Sequence, residues 1–94
     1  MATLIIAPAA QQDLADLFDY IARDKPIAAA NWVDMIEQKC RLIATTREFG
    51  EERPEYGSDI RSSAVGRYVI FYRPVRGGIE VARVIPGDRD IRSL

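Results

Sequence analysis

The apolar residues change their period along the chain. Thr3 to Ala7 (TLIIA) is a short continuous apolar run stopped by Pro8, and it reads as a buried strand. Pro8 suits the first position of a helix, where its missing N–H costs nothing. From there Leu14, Leu17, Phe18 and Ile21 recur at i, i+3, i+4 and i+7, with Gln12, Asp13, Asp16 and Asp19 on the other faces. That spacing predicts an amphipathic helix with acids in its early turns, where the helix dipole favours them. Arg23 to Pro26 (RDKP) breaks the pattern, and a second helix is expected from about Pro26 to residue 47. Its main stripe is Ala29, Trp32, Val33, Ile36, Cys40 and Ile43, widened by Met35 and Leu42. Two amphipathic helices joined by so short a link predict an antiparallel hairpin.

The second half switches to a period of two. Residues 48–59 (EFGEERPEYGSD) are mostly charged, with two Gly and one Pro, and read as a loop. Three strands are expected after it: Ile60 to Ala64, Arg67 to Arg73 (RYVIFYR) and Ile79 to Ile85. Gly66-Arg67 and the Gly-Gly of PVRGG supply the turns between them. Alternation puts Tyr68, Ile70 and Tyr72 on one face of the middle strand and Val69, Phe71 and Arg73 on the other. In the last strand it groups Ile79, Val81, Arg83 and Ile85. The fold class that follows is α+β, in the order β-α-α-β-β-β. An N-terminal helical hairpin packs on one face of a small antiparallel sheet, and the other face is partly open.

Length and composition narrow the function. Ninety-four residues (1–94) are expected to form a single domain. The chain has no His, which removes imidazole catalysis and every metal motif that needs it. The lone Cys40 excludes an internal disulfide and, lying in the helical stripe, reads as a small buried hydrophobe. No metal and no cofactor are expected. No apolar run approaches the roughly 20 residues that span a membrane. The start, MATLIIAPAA, lacks a basic region and reads as a strand, not a signal peptide, so a cytoplasmic location without membrane contact is expected.

Net charge is −1, but unevenly spread. Residues 1–57 carry six basic and ten acidic side chains, whereas residues 58–94 carry seven Arg and four acids. A forked guanidinium suits carboxylate or phosphate. Arg61, Arg67, Arg73, Arg83 and Arg89 lie on the last strands and their ends, and two readings compete. They line an open sheet face and grip an anionic partner, or they pair with the acids of their own domain. Arg83, which alternation places among apolar residues, is either half-buried and paired or part of a recessed site. The paired carboxylates (Asp13/Asp16, Glu51/Glu52, Asp88/Asp90) read as solvated, and PVRGGIE lacks the spacing of a phosphate loop.

Three blocks together resemble the ParE branch of the RelE/ParE superfamily, the toxins of bacterial type II toxin–antitoxin modules. They are APAAQQDLADLFDYIARDKP, GEERPEYGSDIRSSAVGRYVIFYRP and GGIEVARVIPGDRDI. The resemblance covers nearly the whole chain and implies the same β-α-α-β-β-β fold. It implies a cognate antitoxin as partner in a hetero-oligomer, with operator DNA contacted only through that antitoxin. It implies DNA gyrase as the target, inhibited by binding. The other branch, the RelE-like ribosome-dependent mRNA endonucleases, is the alternative. Arg61 and Arg89 match arginines of that branch's basic cluster, but its lysines and C-terminal Tyr have no counterpart. Arginine, with a pKa above about 12, is a poor proton shuttle. A non-enzymatic toxin is therefore expected, with no catalytic residues and with Arg61, Arg83 and Arg89 as its target- or antitoxin-binding patch. One departure stands out. Many relatives end the last strand with R-V-L-H-G-x-R-D, and here Pro86 holds the His position. Pro cannot titrate or donate a backbone hydrogen bond. A third reading is thus an attenuated toxin, kept mainly as a partner in a repressor complex.

Overall fold

The computed structural model describes residues 2–87. Strand β1 (Thr3–Ile6) leads directly into helix α1 (Pro8–Ala22), and α2 (Pro26–Thr45) returns antiparallel. Both helices begin on a proline, as the sequence predicts. Lys25, which precedes Pro26, leaves the helical region with φ −140° and ψ 76°, and so separates the two helices. Strands β3 (Arg61–Val65), β4 (Tyr68–Val75) and β5 (Gly78–Pro86) then form the meander. The expected α+β class and the helical hairpin are both found.

The sheet departs from expectation in two places. It has five strands, in the order β1-β5-β4-β3-β2, because the charged loop contributes a two-residue edge strand β2 (Glu51–Glu52) and a 3-10 turn (Pro54–Tyr56). It is also mixed, since β1 pairs parallel with β5 while every other pair is antiparallel. The parallel pair needs a close approach at Gly78, where the Thr3 carbonyl occupies the space a Cβ would take. The β4–β5 turn is shorter than PVRGG: Pro74 and Val75 remain in β4, and Arg76-Gly77 makes the turn. Pro74 is tolerated because β3 pairs with β4 only as far as Tyr72, which leaves its missing N–H on an unpaired side.

The core lies between the helices and one face of the sheet. Ile36, Cys40 and Ile43 of α2 and Ala10 and Leu17 of α1 pack on Tyr68, Ile70, Tyr72, Ile79, Val81 and Val84. Burial pushes the Cys40 thiol up to about 11, with a smaller push from Glu37, so it is protonated and inert at neutral pH. Met35 and Leu42, expected to widen the stripe, are instead about half exposed. A stripe of five buried positions already fills the space above the sheet. Trp32 packs edge-on against Tyr68 at 5.4 Å and presses on Gly66, where a Cβ would lie 2.5 Å from its ring and φ is +58°. The opposite face is partly covered. Tyr56 of the 3-10 turn meets Phe71 edge-on at 5.5 Å, beside Ile60 and Ile85.

Tyr72 ties the loop to this frame. Its ring is fully buried, its hydroxyl donates to the Arg47 carbonyl at 2.9 Å, and it accepts the Gly50 N–H at 2.8 Å. The approach is close enough that a Cβ on Gly50 would meet the hydroxyl. Tyr72→Phe should therefore leave a buried N–H and a carbonyl without partners and lower stability by about 1–3 kcal/mol. Urea denaturation of the two proteins measures this, with no change expected in the slope m.

Candidate functional site

Two of the arginines expected to form a patch, Arg61 and Arg83, are found apart. Arg61 begins β3 in the cross-strand row of Tyr72 and Val81, whereas Arg83 lies on β5 in the row of Phe71 and Ser62. The two rows face opposite sides of the sheet. Arg89 lies outside the described residues.

Each of the two is held by the protein itself. Arg61 Nη1 donates to the Gly50 carbonyl at 2.8 Å and to the Glu48 carbonyl at 3.2 Å, and its Nη2 reaches Glu52 at 3.4 Å. It thereby closes the loop that Tyr72 anchors. Arg83 makes a two-pronged contact with Asp13 of α1, Nε to Oδ2 at 2.7 Å and Nη2 to Oδ1 at 2.8 Å. The same Oδ2 accepts the backbone N–H of Val84 at 2.9 Å. Hydrogen bonding to Asp13 holds the Arg83 guanidinium above even its ordinary pKa, against the smaller opposing effect of burial.

The position of Arg83 corrects the simple alternation. Between Phe71 and Tyr72 the register shifts, so that Tyr72 faces Val81 and Phe71 faces Arg83, leaving Ala82 as an extra residue. From that bulge onward the faces exchange. Val84, not Ile85, joins Ile79 and Val81 in the core, and Ile85 joins Phe71 and Ile60 on the other side. A single inserted position leaves no mark in the hydrophobic pattern, because Ala82, Val84 and Ile85 are all apolar.

Other arginines are similarly engaged. Arg73 pairs with Glu80 at 3.0 Å, Arg53 donates to Ser62 Oγ at 2.9 Å, and Arg47 donates to the Val75 carbonyl at 2.8 Å. One groove runs between α1 and the end of the sheet. Its floor includes Leu17, Tyr68 and Ile85, and its rim carries Asp16, Asp19, Tyr20, Arg23, Arg67 and Pro86. With Asp13 that makes three carboxylates against two guanidiniums, a poor match for a polyphosphate chain. Pro86, where this chain departs from the motif it otherwise resembles, lines this groove. Among the described residues no three His, Cys, Asp or Glu side chains are grouped to hold a metal ion, and no helix is long and apolar enough to cross a membrane.

The sequence alone did not identify which residues form the exposed apolar surface. A second, shallower groove between the helices is lined by Ile6, Leu14, Ala15, Phe18 and Val33, with Gln11 and Glu37 at its margin. A third lies between α2 and β3, lined by Met35, Leu42, Ala64 and Val65 with Gln38 and Lys39. Phe49 is exposed close by, under the Lys39 ammonium at 4.7 Å. Met35 and Leu42, the extra apolar positions flanking the α2 stripe, were the available signal, whereas Phe18, which the spacing places in the α1 stripe, is exposed at its margin.

The Asp13 contact yields a differential prediction. Asp13→Ala removes the partner of Arg83 and also strips the Val84 N–H, whereas Arg83→Ala removes only the pair. Asp13→Ala should cost about 2–4 kcal/mol and Arg83→Ala about 1–2 kcal/mol less than that. Chemical denaturation of both variants checks the order.

Comparison with known proteins places this geometry. The family profile described as the ParE toxin of the type II toxin–antitoxin system, parDE, matches residues 4–91. Among curated proteins none matches the chain. A solved structure titled as the chromosomal ParDE TA system from P. aeruginosa superposes with a TM-score of 0.77 at 19% identity, covering 92% of this chain and 96% of that one. At that identity the likeness shows a shared fold. The profile spans both the helical hairpin and the meander, so this chain belongs to the ParE toxin family of type II toxin–antitoxin systems.

Proposed function

We propose that this chain, acting as one toxin domain over residues 1–94, works by binding and not by catalysis. In this reading it inhibits DNA gyrase, blocks replication in the cytoplasm, and is neutralised by a cognate antitoxin. The observation that carries the reading is the engagement of five of its arginines. Arg47, Arg53, Arg61, Arg73 and Arg83 all spend hydrogen bonds on the protein's own carbonyls, hydroxyl or carboxylates. Phosphodiester cleavage needs a general acid, a general base and charge stabilisation at one place. The chain has no His to supply the first two, and Tyr72 is buried and already hydrogen-bonded.

Family membership supports the toxin role, and the solved ParDE structure is by its title a toxin–antitoxin pair. The exposed Phe18, Met35, Leu42 and Phe49 provide apolar surface for a partner to cover. Operator DNA would be contacted only through the antitoxin. Arg61 and Arg83 serve in this reading as positioning residues. Arg61 shapes the loop at 48–50, and Arg83 fixes α1 on the sheet. Arg89 is kept as a proposed contact with the target or the antitoxin.

The test is a supercoiling assay with purified gyrase and relaxed plasmid. The chain should suppress supercoiling or trap cleavage complexes, and its antitoxin, added in equal amount, should restore activity. Full gyrase activity together with cleavage of mRNA in a translation extract would overturn the reading in favour of an endonuclease. Full gyrase activity with no growth defect on expression alone would overturn it in favour of a partner in repression.

A further inference from the structure

We propose that the outer edge of β1 is a self-association site, at which a second copy of the chain pairs antiparallel about Leu4. The proposal goes beyond the gyrase reading and does not depend on it. The sheet has two edges, and they differ. At one, β2 is only two residues long, and both are exposed glutamates. Short length and charge are the usual guards of a strand edge. At the other, β1 runs for four residues with no charge, no proline and no bulge.

The open groups on that edge can be assigned. Thr3 donates its N–H to the Gly77 carbonyl at 2.9 Å and Ala7 donates to the Val81 carbonyl at 3.0 Å, so the odd-numbered residues face β5. Leu4 and Ile6 therefore turn their backbone N–H and C=O groups outward. The Ile6 carbonyl is already met by the Gln11 side chain, whose Nε2 donates to it at 2.8 Å from the outer side. Among the described residues this leaves the Leu4 N–H, the Leu4 carbonyl and the Ile6 N–H without strand partners.

A two-fold axis through Leu4 satisfies all three. Leu4 would exchange both hydrogen bonds with Leu4 of the second copy, and each Ile6 N–H would meet the other Ala2 carbonyl. Ile5, 44% exposed on the side away from the helices, would lie beside Thr3 of the second copy. The register brings no like charges together, because Ala2 to Ile6 contain none. An edge this short buries well under the roughly 1,200 Å² of a stable interface, so the association is expected to be weak and to show only as concentration rises.

Sedimentation and amide hydrogen exchange of the purified full chain, from low-micromolar to millimolar concentration, test this together. The expected result is a monomer–dimer equilibrium in which the Leu4 and Ile6 amides gain protection with concentration, while Thr3 and Ala7 are protected throughout. Ile5→Lys should weaken the dimer about tenfold or more without unfolding the chain, since Ile5 lies outside the core. Glu51→Gln on the opposite edge should leave it unchanged. A monomer at every concentration overturns the proposal. So does a dimer in which Leu4 and Ile6 stay unprotected, or an edge that becomes protected only when an antitoxin is added.

Discussion

The packing of the helices on the sheet turns on one carboxylate. Strand β1 accompanies β5 only from Gly78 to Val81, and the chain then leaves at Ala7-Pro8 to start α1. The upper part of β5 would otherwise carry an unpaired N–H at Val84. Asp13, in the second turn of α1, accepts that N–H and grips the Arg83 guanidinium with both oxygens. It thus does for β5 what a longer β1 would have done, and it fixes the rotation of α1 about its own axis. Leu17 and Ala10 are set into the core by that rotation. The contact joins residues 70 apart in sequence, so it couples the first helix to the last strand directly. Its two-pronged geometry is beyond a lysine ammonium at the same place.

Much of this fold was legible in the sequence, and the failures share a cause. The helix starts followed from Pro8 and Pro26, and the inward face of β4 from strict alternation over Tyr68, Ile70 and Tyr72. Each is a local signal that tertiary contacts did not overrule. The bulge at Ala82 was not legible, because an inserted apolar residue within an apolar strand leaves the composition unchanged while exchanging the two faces. The parallel pairing of β1 was likewise hidden, since a four-residue apolar run carries no directional information. Glu51–Glu52 has poor intrinsic strand preference and pairs only because β3 offers an edge beside it.

The candidate site was legible in part. The basic character of the C-terminal third is evident from composition, and alternation leaves Arg83 either paired or recessed. Which of the two holds depends on Asp13, a residue that the helical pattern assigns to a polar face. Only the folded chain brings the two together. The same holds for Arg61, whose partners are mainly backbone carbonyls, and carbonyls carry no sequence signature. Charge in this chain therefore does more to build the structure than to advertise a ligand. Most of the exposed large apolar side chains lie on the helices or just beyond them.

The two unlike edges of the sheet set a limit on assembly. A sheet with two open edges can add strands at both, and identical chains can then stack without end. Here one edge ends in Glu51–Glu52, a strand of two residues whose exposed carboxylates would meet like charges at the same edge of another copy and would lose their hydration against an uncharged β1. Each chain consequently has a valence of one for strand addition. Whatever the β1 edge accepts closes the sheet, and growth into a filament stops at that step.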